Sequence, residues 1–265
     1  TCAANRKLCI IDSGYDRAHE DLAGNSASGA YDAGTGWWYT DENHHGTHVA
    51  GTVAAINNSG TGVVGVAPNR QLKLHIVKVF GADGWAYSST LAAAANQCGA
   101  AGAHVISMSL GGARPSQIEI RAFAALATKG VLSVAAAGND GNSTISYPAG
   151  YPSVVMVGAL DENKAWANFS QYNSKVELSA PGVSVLSTVP MGGGTDNALT
   201  VGPAVYAPGA MDGSPKASAS GALADFGLGD KINTAVAGKV CLIARGAIDF
   251  AVKVSNCQAS GGVGS

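Results

Sequence analysis

The stretch from Asn43 to Ala55 (Asn-His-His-Gly-Thr-His-Val-Ala-Gly-Thr-Val-Ala-Ala) constrains this chain more than any other. A polar turn carrying His44, His45 and His48 runs into a helix of small apolar residues. Ala50, Gly51, Ala54 and Ala55 leave almost no side chain on the helix surface, so the helix is expected to lie close against a sheet and be buried there. A buried helix with imidazoles at its mouth points to a catalytic scaffold. A histidine alone is more often a turn or core residue, so the neighbouring motifs have to decide.

Composition narrows the classes. Of 265 residues, 46% are hydrophobic and 13% charged, enough apolar material for one large or two modest cores and no signature of disorder. A formal charge of -2 supplies neither a basic field for nucleic acid nor a polybasic membrane anchor. No apolar run reaches membrane-spanning length. The chain begins at Thr1 without a signal-like segment, as expected of a mature form whose leader has been removed. Low charge, abundant Gly and Ser, and well-separated cysteines favour a secreted, extracellular protein. Among Cys2, Cys9, Cys98, Cys241 and Cys257, the pair Cys241 and Cys257 is the expected bridge. A loop that short restricts the unfolded chain by about 3 kcal/mol. The other three form an odd set, with either one free thiol or a partner outside this chain.

Strand-like and helix-like runs alternate. Leu8–Ile11 reads as a short buried strand ending at Asp12-Ser13-Gly14, which sets an acid at the strand's carboxyl edge. Then come a strand at 74–79, a helix at 89–101, a strand at 104–109, a helix at 117–129, and strands at 131–136, 154–157 and 176–178. The alternation predicts an α/β fold, a mostly parallel sheet flanked by helices on both faces.

An aspartate at a strand end, a histidine at a helix start and an asparagine in Ala137-Gly138-Asn139 are weak signals singly and strong in this order. From about Cys9 to Pro190 the chain resembles the subtilisin-like serine proteases. The matching motifs are Ile11-Asp12-Ser13-Gly14, His45-Gly46-Thr47-His48-Val49-Ala50-Gly51-Thr52, Gly65-Val66-Ala67-Pro68, Met108-Ser109-Leu110-Gly111-Gly112, Ala137-Gly138-Asn139 and Ser179-Ala180-Pro181-Gly182. The resemblance implies a catalytic role for Asp12, His45 and Asn139. His45 would take the proton of a hydroxyl nucleophile, Asp12 would orient the imidazole and stabilise its cation, and the Asn139 amide would donate to the oxyanion. The family's nucleophile stands in Gly-Thr-Ser-Met-Ala, and this sequence contains no Gly-Thr-Ser. Gly213-Ser214-Pro215 reads more simply as a helix cap followed by proline.

From Met191 onward the pattern changes. Lys239-Val240-Cys241-Leu242-Ile243-Ala244-Arg245-Gly246, with Phe250, Lys253, Asn256 and Gly261-Gly262, resembles a protease-associated domain, which occurs as an insertion ahead of the serine motif in some subtilases. The expected organisation is a catalytic domain at 1–190 and, at 191–265, a linker with the start of an incomplete β-rich protease-associated insert. The nucleophile is then expected on a missing carboxyl-terminal fragment.

The resemblance also implies a protein or peptide substrate, bound as an added strand between Gly84-Trp85-Ala86 and Ser109-Leu110-Gly111. A pocket walled by Ala136-Ala137-Gly138 and Ser146-Tyr147-Pro148 would receive a large apolar side chain. Trp85 either covers a subsite or simply packs, and Asp140 at the rim leaves room for basic side chains too. Structural calcium (Ca2+) is implied at Asp21 and Asn58, with carbonyls of Ile56, Thr61 and Val63, because oxygen ligands suit that hard cation. Two rivals remain. One is a non-catalytic pseudoprotease or binding module, which leaves Asp12, His45 and Asn139 without a reason. The other is a zinc hydrolase using His45, His48 and Asp12, which lacks the Glu of the His-Glu-x-x-His pattern.

Overall fold

A computed structural model describes residues 4–194, 198–206, 217–244, 246 and 248–265. Cys2, the Gly213-Ser214-Pro215 turn and Arg245 lie outside the described residues. The chain divides into two compact units, Thr1–Gly194 and Thr195–Ser265.

The first unit contains, in order, β1 (Lys7–Asp12), β2 (Ser26–Gly29), β3 (Tyr31–Asp32), β4 (Gly36–Trp37), α1 (His45–Ala54), β5 (Lys73–Lys78), α2 (Ser88–Ala100), β6 (Val105–Met108), α3 (Gln117–Thr128), β7 (Leu132–Ala136), β8 (Val154–Leu160) and β9 (Val176–Pro181). Seven strands form one sheet in the order β2-β5-β1-β6-β7-β8-β9. Every pairing in it is parallel. β3 and β4 form a separate antiparallel pair.

Strand periodicity sorts β1 between two cores. Leu8 and Ile10 pack with Leu74 and Ile76 of β5 and with Ala50 and Ala54 of α1. Cys9 and Ile11 point the other way, among Leu91, Ala95 and Cys98 of α2 and Phe123 and Leu126 of α3. The small residues of α1 allow close contact, as expected: a Cβ on Gly51 would stand 2.2 Å from the Thr188 hydroxyl. Thr188 Oγ1 in turn donates to the Thr47 carbonyl at 2.8 Å.

Two departures from the sequence reading stand out. Cys9 is disulfide-bonded to Cys98, tying β1 to α2 with a Cα separation of 5.6 Å, so two of the three cysteines left open are partners. β2 was not anticipated, because Ser-Ala-Ser-Gly carries no apolar pattern and joins the sheet only as an edge beside β5.

The second unit holds the antiparallel pair β10 (Leu199–Val201) and β11 (Ala204–Tyr206), then β12 (Leu223–Asp225), a 3-10 turn at Thr234–Val236, β13 (Val240–Leu242) and α4 (Phe250–Ala259). β12 and β13 are parallel. Phe226, Val236, Cys241 and Cys257 make its small core. The expected Cys241–Cys257 bridge joins β13 to α4.

Candidate active site

The sheet places its reactive residues at a switch in strand order. β1 lies between β5 and β6, and the chain crosses from one side of it to the other between those two strands. In open α/β sheets the crevice at the carboxyl ends of such strands is where ligands bind. Asp12 ends β1 on the same face as Leu8 and Ile10, the face covered by α1, and His45 is the first residue of α1. Period two along the strand and the start of the helix thus bring the two side chains together. His45 Nδ1 stands 2.7 Å from Asp12 Oδ1, which also accepts from the Ser13 amide at 2.8 Å. A carboxylate only accepts, so Nδ1 carries the proton and Nε2 is left as the basic nitrogen. Asp12 is fully buried, whereas the His45 side chain is 49% exposed.

Two glycines permit that approach. A Cβ on Gly46 would lie 2.3 Å from the Gly14 carbonyl oxygen, and one on Gly14, at φ +134°, would lie 1.9 Å from the Thr40 oxygen. The hydrogen bond to Asp12 raises the His45 pKa, burial opposes it, and the charges of Asp12 and Asp41 add to the rise. Burial, together with the charge of His45, holds His48 below the usual histidine value.

Asp41 was missed in the sequence reading. Its buried carboxylate accepts from the amides of His44 (3.0 Å) and Thr47 (2.8 Å) and from the hydroxyls of Ser13 (2.8 Å) and Thr47 (2.6 Å). An anion there satisfies the free amides at the start of α1 and complements the helix dipole. Ser13 Oγ in turn accepts from Gly46 N–H at 2.8 Å. An acid just ahead of a predicted helix was the available signal.

Two clefts of about 380 Å³ each open beside this pair. The first is lined by His45, Gly84, Trp85, Ala86, Ser109, Leu110 and Gly111, along with Glu119 and Tyr147. The second is lined by Ala136, Gly138, Asn139, Asp140 and Ser146, again with Ser109, Leu110 and Gly111. Ser109–Gly112 therefore runs between the clefts, past the point where β6 and β7 stop pairing at Met108 and Ala135. It is fastened by mutual backbone bonds between Gly112 and Tyr147 at 2.8 and 2.9 Å. His45 lines the first cleft and Asn139 the second, and Ser109, Leu110 and Gly111 belong to both. Of the expected pocket wall, Ala137 is buried in the core and Tyr147 faces the His45 cleft. Trp85 lines the cleft, is 59% exposed, and meets Tyr87 edge-on at 4.3 Å.

The turn bearing Asn139 is held by Gln171, also missed at first. Gly138, at φ +110°, leaves room for Gln171 Oε1, which would be 1.6 Å from a Cβ there. The Gln171 amide donates to Gly138 O at 3.0 Å, and its side chain donates to Thr144 O at 2.6 Å.

Asp21 and Asn58 also meet. The Asp21 carboxylate, 1% exposed, accepts from Asn58 Nδ2 at 2.7 Å and from the Val63 amide at 2.9 Å. Ile56 N–H donates to the Asp21 carbonyl at 2.8 Å, while Thr61 Oγ1 approaches the Asn58 carbonyl at 3.4 Å. Among the described residues no salt bridge reaches Asp21. A buried carboxylate met only by neutral N–H donors keeps its charge uncompensated, and a hard cation would offset that charge. No group of three or more His, Cys, Asp or Glu able to hold a metal occurs among the described residues, so a zinc centre on His45, His48 and Asp12 has no support here.

Residues 4–224 match the subtilase family, and residues 200–265 match the PA domain. The chain belongs to the subtilase family. Subtilisin BL of Lederbergia lenta is 46% identical over 184 residues, 69% of this chain and 66% of that protein. Subtilisin DY of Bacillus licheniformis is 45% identical over 191 residues, 71% of this chain and 68% of that protein. Among solved structures, the psychrophilic subtilisin-like protease Apa1 from Pseudoalteromonas sp. AS-11 superposes with a TM-score of 0.71 at 41% identity, covering 98% of this chain and 65% of the other. The chain spans about half to two thirds of the length of such relatives, 47% for the alkaline protease of Alkalihalobacillus alcalophilus.

Proposed function

We propose that this chain is the amino-terminal part of an exported serine endopeptidase that hydrolyses protein or peptide substrates, with its nucleophilic serine on residues after Ser265. The observation that carries this reading is the Asp12–His45 hydrogen bond at the switch point of the sheet, with His45 on the wall of a cleft. In this mechanism His45 Nε2 takes the serine proton during attack on the scissile carbonyl and returns it to the leaving amine. Asp12 keeps the imidazole in the required tautomer and stabilises its cation. Asn139 donates to the oxyanion. Loss of that donor costs about 3 to 4 kcal/mol of barrier, a magnitude that comes from subtilisin itself. Gly84–Ala86 and Ser109–Gly111 pair with the substrate backbone, while Ala136 and Gly138 border the second cleft. Residues 1–190 act as the catalytic scaffold and 191–265 as linker and protease-associated insert.

We assign Ca2+ to Asp21 and Asn58, with the carbonyls of Ile56, Thr61 and Val63 as further oxygens. The ion supplies fixed positive charge that offsets the buried carboxylate and holds the loop, and it takes no part in the reaction. No helix among the described residues is long and apolar enough to cross a membrane.

The test is a serine-directed covalent inhibitor applied to the longer protein, followed by peptide mapping. The label is expected on a serine outside residues 1–265, with hydrolysis of a peptide substrate lost in parallel. A label inside residues 1–265, or hydrolysis unaffected by Asp12→Asn, overturns the reading. A binding module without catalysis, the rival reading, predicts neither label nor hydrolysis.

A further inference from the structure

The residues lining the His45 cleft include a carboxylate that the proposed mechanism does not use. Glu119 lies in the first turn of α3, is 4% exposed, and lines this cleft together with His45. Its Oε2 accepts from the Tyr151 hydroxyl at 2.6 Å, and that hydroxyl accepts from Ser116 N–H at 2.8 Å. Burial, then the hydrogen bond to Glu119, push the Tyr151 pKa far up, so the phenol stays a donor. Among the described residues no salt bridge reaches Glu119, and Arg114 lies exposed at the rim of the same cleft without pairing to it.

We infer that Glu119 makes the His45 cleft a subsite for a basic side chain, Lys or Arg, of the bound peptide. This rests on the proposed reading of the cleft as a peptide groove. A helix start favours an acid by itself, which explains the presence of Glu119 but not its position on a cleft wall. A buried carboxylate is costly without a cation or a full set of donors. Filling the cleft with an apolar side chain would strip its remaining water and add to that cost. The aliphatic stem of Lys or Arg instead lies along Phe80, Leu91 and Tyr147, which line the same cleft, while its head meets the carboxylate. Selectivity then comes as much from rejecting apolar and acidic side chains as from attracting basic ones.

Calorimetric titration of the 265-residue chain with blocked alanine hexapeptides carrying Arg, citrulline, Leu or Glu at each successive position tests this without any need for hydrolysis. At one position the Arg peptide is expected to bind at least tenfold more tightly than its citrulline isostere and the Leu peptide, with the Glu peptide weakest. Glu119→Gln, which still accepts from Tyr151, is expected to bring the Arg and citrulline peptides within about twofold. Arg114→Ala is expected to keep or enlarge the preference. Equal binding of Arg and citrulline peptides to the unmodified chain overturns the inference and leaves the peptide groove standing, as does an Arg preference that survives Glu119→Gln. Failure of every peptide to bind overturns both. The Arg and citrulline comparison reads out even if Glu119→Gln does not fold.

Discussion

His45 shows how one contact sets a residue's chemistry. Its pKa is raised chiefly by the hydrogen bond to Asp12, with burial pulling the other way. A raised folded-state value means that this group's contribution to stability is fully present below the unfolded histidine value. It is lost as pH climbs through the folded one. Asp12→Ala removes the main cause and leaves the opposing burial, so the His45 titration is expected to fall below its value in the unmodified chain. Ring-proton NMR across neutral pH checks it, and an unmoved titration would separate His45 from Asp12 in solution. Asp12 Oδ2 is buried and has no hydrogen-bond partner among the described residues. Gly46 supports the pair from behind. With its Cβ 2.3 Å from the Gly14 carbonyl, Gly46→Ala is expected to cost about 1 to 3 kcal/mol by overpacking and to displace His45 from Asp12. Urea unfolding measures the first effect and the His45 titration the second.

Among the elements, β1 is the one on which the rest depend, since it is packed on both faces and paired on both edges. The Cys9–Cys98 disulfide adds a covalent tie from it to α2 across 89 positions of sequence. A loop of that length is worth about 4 to 5 kcal/mol in the chain-entropy view. Cys9→Ala with Cys98→Ala is expected to lower the stability of the first unit by about 2 to 5 kcal/mol, measured by denaturant unfolding. A loss below about 1 kcal/mol would assign the work to packing alone. Long periodic elements such as α1, β5, α2 and α3 were legible in the sequence because burial leaves apolar residues at fixed spacing. β2 was not, because Ser26–Gly29 owes its state to β5 beside it and not to its own side chains. The Asp12–His45 meeting was legible through motif order. The support from Asp41 had one sequence signal, an acid ahead of a helix, whereas that from Gln171 had none, because Gln171 acts on backbone groups whose positions only the fold reveals.

Over the whole molecule, the two units carry separate cores, and every residue proposed to bind calcium belongs to the first. Asp21 also anchors that unit structurally: its carbonyl holds Ile56 N–H just past the end of α1, and Asn25 nearby donates to the Ala54 carbonyl at 2.8 Å. A cation neutralising the Asp21 carboxylate would therefore stabilise the end of the helix that begins with His45. At a free concentration one hundred times its dissociation constant, such an ion adds about 2.7 kcal/mol to the folded state. For a unit of this size each kcal/mol moves the melting temperature by roughly 2 to 4 °C. Chelation is accordingly expected to lower the first unit's transition by about 5 to 10 °C in scanning calorimetry and to leave any separate transition of the second unit in place. Asn58→Ala is expected to bring the transition close to its chelated position whether or not calcium is added. Slow heating that gives the same transition with and without chelator would remove calcium from the account. Asp21 would then stand as a carboxylate stabilised by Asn58 and Val63 alone.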